Sequence, residues 1–133
     1  MSGTIQDIAK AIAHAEGFNI PGAAPQRYNN PGDLSKGDEW GQSVSGYTTL
    51  PDGEDLIIFA TPDDGWNALY AKLQNIADGN SRVYSPDMSW SQIAQHWAGN
   101  SGAWASNVAG TLGVSPDSTF AEYLGCGCCS NCC

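Results

Sequence analysis

The chain has 133 residues, enough for one domain with a single core and too few for two. Hydrophobic content of 41% with 16 Gly and 7 Pro fits a loop-rich globular protein, and with only 14% charged residues the surface is expected to be rich in Ser, Asn, Gln and Gly. A net charge of -9 with five Lys and Arg argues against nucleic acid or an anionic membrane surface as partner, because both demand clustered cations.

No stretch approaches the roughly 20 apolar residues of a membrane span. No basic region followed by an uninterrupted apolar run opens the chain, so no secretory leader is read and a soluble protein is expected. Export would then depend on a leader already removed or on another device, such as a phage particle, a lysis pore or a secretion machine.

From Ile5 the apolar residues recur as Ile8, Ala9, Ile12 and Ala13, the spacing of one buried helical face. The pattern predicts a first helix over 4–16, with Ser2 or Thr4 as N-cap, Asp7 as capping-box partner of Thr4, and Gly17 as the stop. Glu16 continues the apolar face. A carboxyl group in register with core isoleucines is partly desolvated, which raises its pKa toward the range of a proton donor at neutral pH. It also sits at the end of the helix dipole that disfavours negative charge. Two readings of Glu16 stand: a functional acid, or a surface residue paired with Arg27 or Lys10.

The polar, Gly/Pro-rich stretch over 17–46 reads as a functional loop region with short strands. Residues 47–50 and 56–60 are β-prone runs flanking Pro51-Asp52-Gly53-Glu54-Asp55, a turn signal, and predict a small antiparallel hairpin with a third strand near 33–34. Thr61-Pro62-Asp63-Asp64 is a strong helix start; the helix runs to about Ala77 with Trp66, Leu69, Tyr70, Leu73, Ile76 and Ala77 as its stripe. Ser89 with Gln92 opens another helix bearing Trp90, Ile93, Ala94 and Trp97. A fourth helix is expected over 104–112, and a short fifth from Ser118 or Thr119 buries Phe120, Tyr123 and Leu124. Strands are grouped and do not alternate with helices, so the fold class is α+β and mainly helical: a first helix, a small antiparallel β-element, then a helical lobe.

Five cysteines, Cys126, Cys128, Cys129, Cys132 and Cys133, crowd the last eight residues, and there are none elsewhere. Residues 1–125 therefore read as one domain that owes nothing to disulfides, and 126–133 as a cysteine-rich tail. The tail is either a soft-metal, disulfide or acylation site or an appendage without a role in the fold.

The segment Ile12-Ala13-His14-Ala15-Glu16-Gly17-Phe18-Asn19 resembles the end of the first helix in lytic transglycosylases, where the catalytic Glu is followed by a small residue, Phe and Asn; the Ser usual after that Glu is missing here. Tyr28-Asn29-Asn30-Pro31-Gly32-Asp33-Leu34 resembles the Asn-Asn-Pro-Gly-Asn motif of phage-associated lysozyme-like proteins, with Asp33 where Asn is more usual. Phe59-Ala60-Thr61 and Gly65-Trp66-Asn67-Ala68-Leu69 look like that group's next block. The chain thus resembles the lysozyme-like superfamily, phage-type muramidases and lytic transglycosylases, over about residues 5–125.

The resemblance implies a peptidoglycan-cleaving glycosidase acting on the bacterial cell wall, which breaks the β-1,4 bond between N-acetylmuramic acid and N-acetylglucosamine. Glu16 would be the general acid and Asp33, 17 residues on, the second carboxylate. Asp38, Glu39, Asp52, Glu54 and Asp55 are weaker candidates, and an Asx-turn is the competing reading of Asp33. A lytic transglycosylase, which needs no second carboxylate and leaves 1,6-anhydro ends, is the alternative. Tyr28, Asn29, Asn30, Trp40, Tyr47, Trp97 and Asn100 are the expected substrate contacts, with Trp104 as a further aromatic; Asn29 and Asn30 as turn formers, and Trp97 and Trp104 as core residues, are the plainer readings. The expected partner is the peptidoglycan strand or, without anionic groups, a chitin-like polysaccharide, met by a monomer with no cofactor or metal.

Two other classes compete. His14-Ala15-Glu16 matches the His-x-Glu of zinc deaminases, but the Pro preceding the Cys pair is absent and the cysteines trail the last helix. A non-catalytic glycan-binding module of the same fold is the serious rival, since a charge of -9 repels an anionic wall polymer.

Overall fold

The computed structural model describes residues 3–99 and 101–125; Ser2, Asn100 and the cysteines of 126–133, with the readings made of them, lie outside the described residues. The elements in chain order are α1 (Ile5–Ala15), α2 (Ala24–Arg27), β1 (Val44–Thr49), β2 (Asp55–Phe59), α3 (Pro62–Ala77), α4 (Trp90–Trp97), α5 (Ser101–Leu112) and α6 (Phe120–Leu124). The class is α+β, mostly helical, with a two-stranded antiparallel sheet.

Local chemistry sets the helix starts. Thr4 and Asp7 form a reciprocal capping box on α1, Ser89 and Gln92 on α4, and Thr119 and Glu122 on α6, while Thr61 accepts the Asp64 N–H ahead of Pro62 on α3. Each box satisfies two N–H groups that would otherwise lack partners. Gly17, at φ 82, turns the chain out of α1 directly after Glu16, the C-cap residue.

The helical lobe packs α1 against both α5 and α3, and α4 against α5. Ile8, Ala9, Ala11, Ile12, Leu69, Leu73, Ile76, Ile93 and Val108 share one core with Ile57 and Phe59 of β2. Tyr123 and Leu124 of α6 are only partly buried, and Phe120 and Ala121 make its buried face.

Four elements differ from expectation. Four-residue α2, with Pro25 at its start, is too short to leave a periodic signal. The expected third strand near 33–34 is a single bridge between Ser35 and Leu56. Strand β1 begins at Val44 and helix α5 at Ser101, three residues before the patterns suggested. In both, weak formers such as Gly46 and Gly102 are carried into regular structure by pairing or packing that local propensity does not record.

What aligns the two lobes is the loop 28–35. Asn30 is 0% exposed. Its Nδ2 donates to the carbonyls of Leu34 and Ile57, each at 2.9 Å, and its Oδ1 accepts the Leu34 N–H at 2.8 Å. Asn29, at φ 54, donates its side-chain amide to the Phe59 carbonyl at 3.1 Å, and the Phe59 N–H returns to the Tyr28 carbonyl at 3.0 Å. The loop is thereby stitched to β2. On its other side it lies against the first turn of α3: a Cβ on Gly65 would fall 1.8 Å from the Asn29 carbonyl oxygen.

Gly65→Ala should destabilise the fold by about 3 kcal/mol or more, because the obstacle is backbone and cannot swing away. Asn30→Ala should cost about 2–4 kcal/mol by stranding the buried Leu34 N–H and removing a donor from the Leu34 and Ile57 carbonyls. Gly110→Ala in α5, where nothing lies within 4 Å of the new Cβ, should be neutral or stabilise by about 0.5–1 kcal/mol. Urea unfolding of the three variants measures all of these.

Candidate active site

Glu16 follows Ile12 by one helical turn, and its backbone N–H still donates to the Ile12 carbonyl at 2.9 Å. The side chain therefore leaves α1 on its buried stripe and meets α5, where the Trp104 indole donates Nε1–H to Glu16 Oε2 at 3.1 Å. No ion pair to Arg27 or Lys10 forms; among the described residues the ion pair is Lys72 with Asp38, at 2.9 Å. The Glu16 pKa is raised from its ordinary 4.5 to about 8. Burial is the main cause and the Asp33 carboxylate the second, partly offset by the Trp104 N–H and by Lys72, with Glu54 adding a small further rise.

Asp33 lines the same space. It is held at φ 53 with its N–H on the Asn30 carbonyl at 3.2 Å. A left-handed backbone at a non-glycine residue costs on the order of 1 kcal/mol, and it persists here because the Asn30 stitching over-determines the turn. Its carboxylate accepts no hydrogen bond among the described residues, so it closes no Asx-turn. Burial first and Glu54 second push its pKa upward.

Two adjoining clefts open at this point. One, of about 390 Å³, is lined by Glu16, Asp33, Asp52, Glu54, Trp97 and Trp104 among others. The second, of about 360 Å³, is lined by Asp33, Asp38, Trp40, Glu54, Lys72, Tyr84, His96 and Trp97. Asp33, Glu54 and Trp97 belong to both, so the clefts form one groove between the hairpin side and the helical lobe with Glu16 and Asp33 on its walls.

Trp97 organises the middle of the groove. Its Nε1–H donates to the Gly32 carbonyl at 3.0 Å, and its ring stacks on Trp104 with centroids 5.7 Å apart. Lys72 Nζ stands 4.2 Å from its centroid, and Tyr84 packs at 5.5 Å. A ring so enclosed fixes neighbours more than it offers a free face. Trp40, 44% exposed at the rim, is the open apolar surface of the second cleft.

The other residues singled out from sequence scatter. Asn30 spends its amide on backbone inside the core, and Asn29 donates to backbone as well. Tyr28 and Tyr47 line neither cleft; the Tyr28 ring lies under Arg27 and the Tyr47 ring under Lys36. Lys72 and Tyr84, both in the groove, were not legible as site residues. Lys72 falls among the core leucines of α3, and Tyr84 lies in a segment without a periodic pattern. Glu54 could be read only as one of several turn acids, and Ser35, 19 residues earlier, donates its hydroxyl to it across the loop.

Compared with family models, curated proteins and solved structures, the chain matches none of them.

A carboxyl group with a raised folded-state pKa holds its proton where the unfolded chain has already released it. For Glu16 that window runs from about pH 4.5 to about 8, so stability should fall as pH rises through it and level off above. The full effect is at most about 5 kcal/mol. Asp33 contributes with the same sign. Denaturant midpoints should therefore drop between mildly acidic and mildly alkaline buffer for the wild type, and drop markedly less for Glu16→Gln.

Proposed function

We propose that the chain is a lysozyme-like glycosidase that cleaves the β-1,4 bond of the peptidoglycan glycan strand of the bacterial cell wall. The observation that carries this reading is a buried carboxyl group, Glu16, held by the Trp104 indole with its pKa raised to about 8, in a groove that also bears a second carboxylate, Asp33, free of hydrogen bonds among the described residues. Two nearby carboxyl groups resist double ionisation, so the proton stays on Glu16 and the charge on Asp33. Glu16 protonates the glycosidic oxygen as the bond to the sugar's anomeric carbon breaks. Asp33 then stabilises or captures the cationic sugar, or draws a proton from the attacking water, and Glu16 regains its proton by the end of the cycle.

The pH response follows from the same groups. Activity requires protonated Glu16 and should fall above about pH 8. Removing the indole N–H that favours the ionised form, as in Trp104→Phe, should move that alkaline limb to higher pH.

Digestion of purified peptidoglycan, with mass analysis of the fragment ends, tests the reading. The wild type should release muropeptides with reducing ends. Glu16→Gln should lose activity by about 10³-fold or more, the loss of a proton donor together with the orientation it gives the substrate. Equal release by both proteins rejects Glu16 as the acid. Asp33→Asn should be nearly as damaged; full activity in that variant, with 1,6-anhydro ends, would identify a lytic transglycosylase instead, and no release by any form would leave a binding module.

A further inference from the structure

The groove walls carry five carboxyl groups, Glu16, Asp33, Asp38, Asp52 and Glu54, against one lysine, Lys72, and that lysine is already paired with Asp38. A second observation concerns Tyr84, which lines the cleft bearing Asp38 and Glu54. The residue is 8% exposed, and its hydroxyl has no hydrogen-bond partner among the described residues. Its pKa is held well above the ordinary phenol value by burial and by the charges of Asp38 and Glu54, which keeps the hydroxyl a donor. The ring is mostly buried while the hydroxyl itself is reached from the cleft, so the donor is open to an acceptor carried by a ligand.

An acceptor alone would favour any sugar. An acetamido sugar leaves the carboxylates desolvated and uncompensated, and on a wall strand the lactyl and peptide carboxylates add a repulsion that free amines on the glycan would offset. A sugar with a free amine supplies a cation for the carboxylates, a ring oxygen or hydroxyl for Tyr84, and a flat apolar face for Trp40. Resting on the glycosidase reading, we infer that this half of the groove selects a glycan unit bearing a free amine, so within the glycan strand N-deacetylated units are the preferred ones. Glu54 and Asp38 act as the cation-binding pair, with Glu54 the more available because Lys72 occupies Asp38. The overall charge of -9, unfavourable for an anionic wall polymer, then assists binding.

The test separates binding from turnover. Full-length Glu16→Gln is titrated with a glucosamine tetrasaccharide and with its fully N-acetylated counterpart at mildly acidic pH, where the sugar amine is an ammonium, following tryptophan fluorescence. The amine form should bind about tenfold or more tightly, the worth of one charge-assisted contact. That preference should shrink with added salt and vanish when Glu54→Gln is introduced, whereas Tyr84→Phe should weaken both ligands. Equal binding, preference for the acetylated form, a preference that survives Glu54→Gln, or no binding of either ligand overturns the inference. Circular dichroism and the urea midpoint of each variant establish that it is folded. Cleavage of the acetylated polymer by wild type without any amine preference would sink this inference and leave the glycosidase reading standing. Selective binding of the amine form with no cleavage of any glycan would do the reverse.

Discussion

The side-chain amide of Asn30 is the constraint on which the rest of the site depends. It is buried, it uses both donors and its acceptor on backbone, and in doing so it holds the loop after α2 to β2. A half-satisfied amide in that position would cost more than an apolar residue, so the arrangement is stable only when all three bonds form together. With that turn fixed, Asp33 is pinned in a left-handed conformation three residues on and Gly32 presents its carbonyl to Trp97. The absence of a side chain at Gly65 lets α3 close against the same loop.

From Gly32 a continuous run of contacts leads to the proposed acid. The Gly32 carbonyl holds Trp97, Trp97 stacks on Trp104, and Trp104 donates to Glu16. The hairpin-side loop and the end of α1 are therefore positioned relative to one another through two indoles carried by α4 and α5. Aromatic pairs of this kind are stiff, large and cheap in rotamer entropy, which suits them to hold a carboxyl group in one orientation. Lys72 completes the arrangement from α3, balancing Asp38 and lying over Trp97 while its charge moderates the pKa of Glu16.

The electrostatic character of the groove divides into two parts with different consequences. Around Glu16, desolvation dominates and raises the carboxyl pKa to about 8. Toward Asp38 and Glu54 the groove keeps its carboxylates near a phenol that makes no hydrogen bond among the described residues. In the proposed reading one end gives a proton and the other receives a cation, and a polysaccharide long enough to cross Trp97 would meet both.

Much of this was open to a reader of the residues. The capping residues Thr4, Ser89 and Thr119, the Pro-initiated α3 and the apolar spacing of the longer helices are local signals, so the class and the order of the longer elements followed from short-range chemistry, while α2 did not. Glu16 stood out because its position relative to Ile12 is a matter of helical period alone. What only the tertiary structure decided is which groups meet: Trp104 on Glu16 across 88 positions, Trp97 on Gly32 across 65, and Lys72, Tyr84 and Glu54 in one groove. It also assigned Asn30 to the core, since a polar side chain before Pro-Gly carries the same local signature whether it faces a ligand or the backbone of a strand 27 residues away. Sequence spacing records what a chain does with its near neighbours, whereas the proton affinity of a carboxyl group depends on burial and on charges brought up from distant elements.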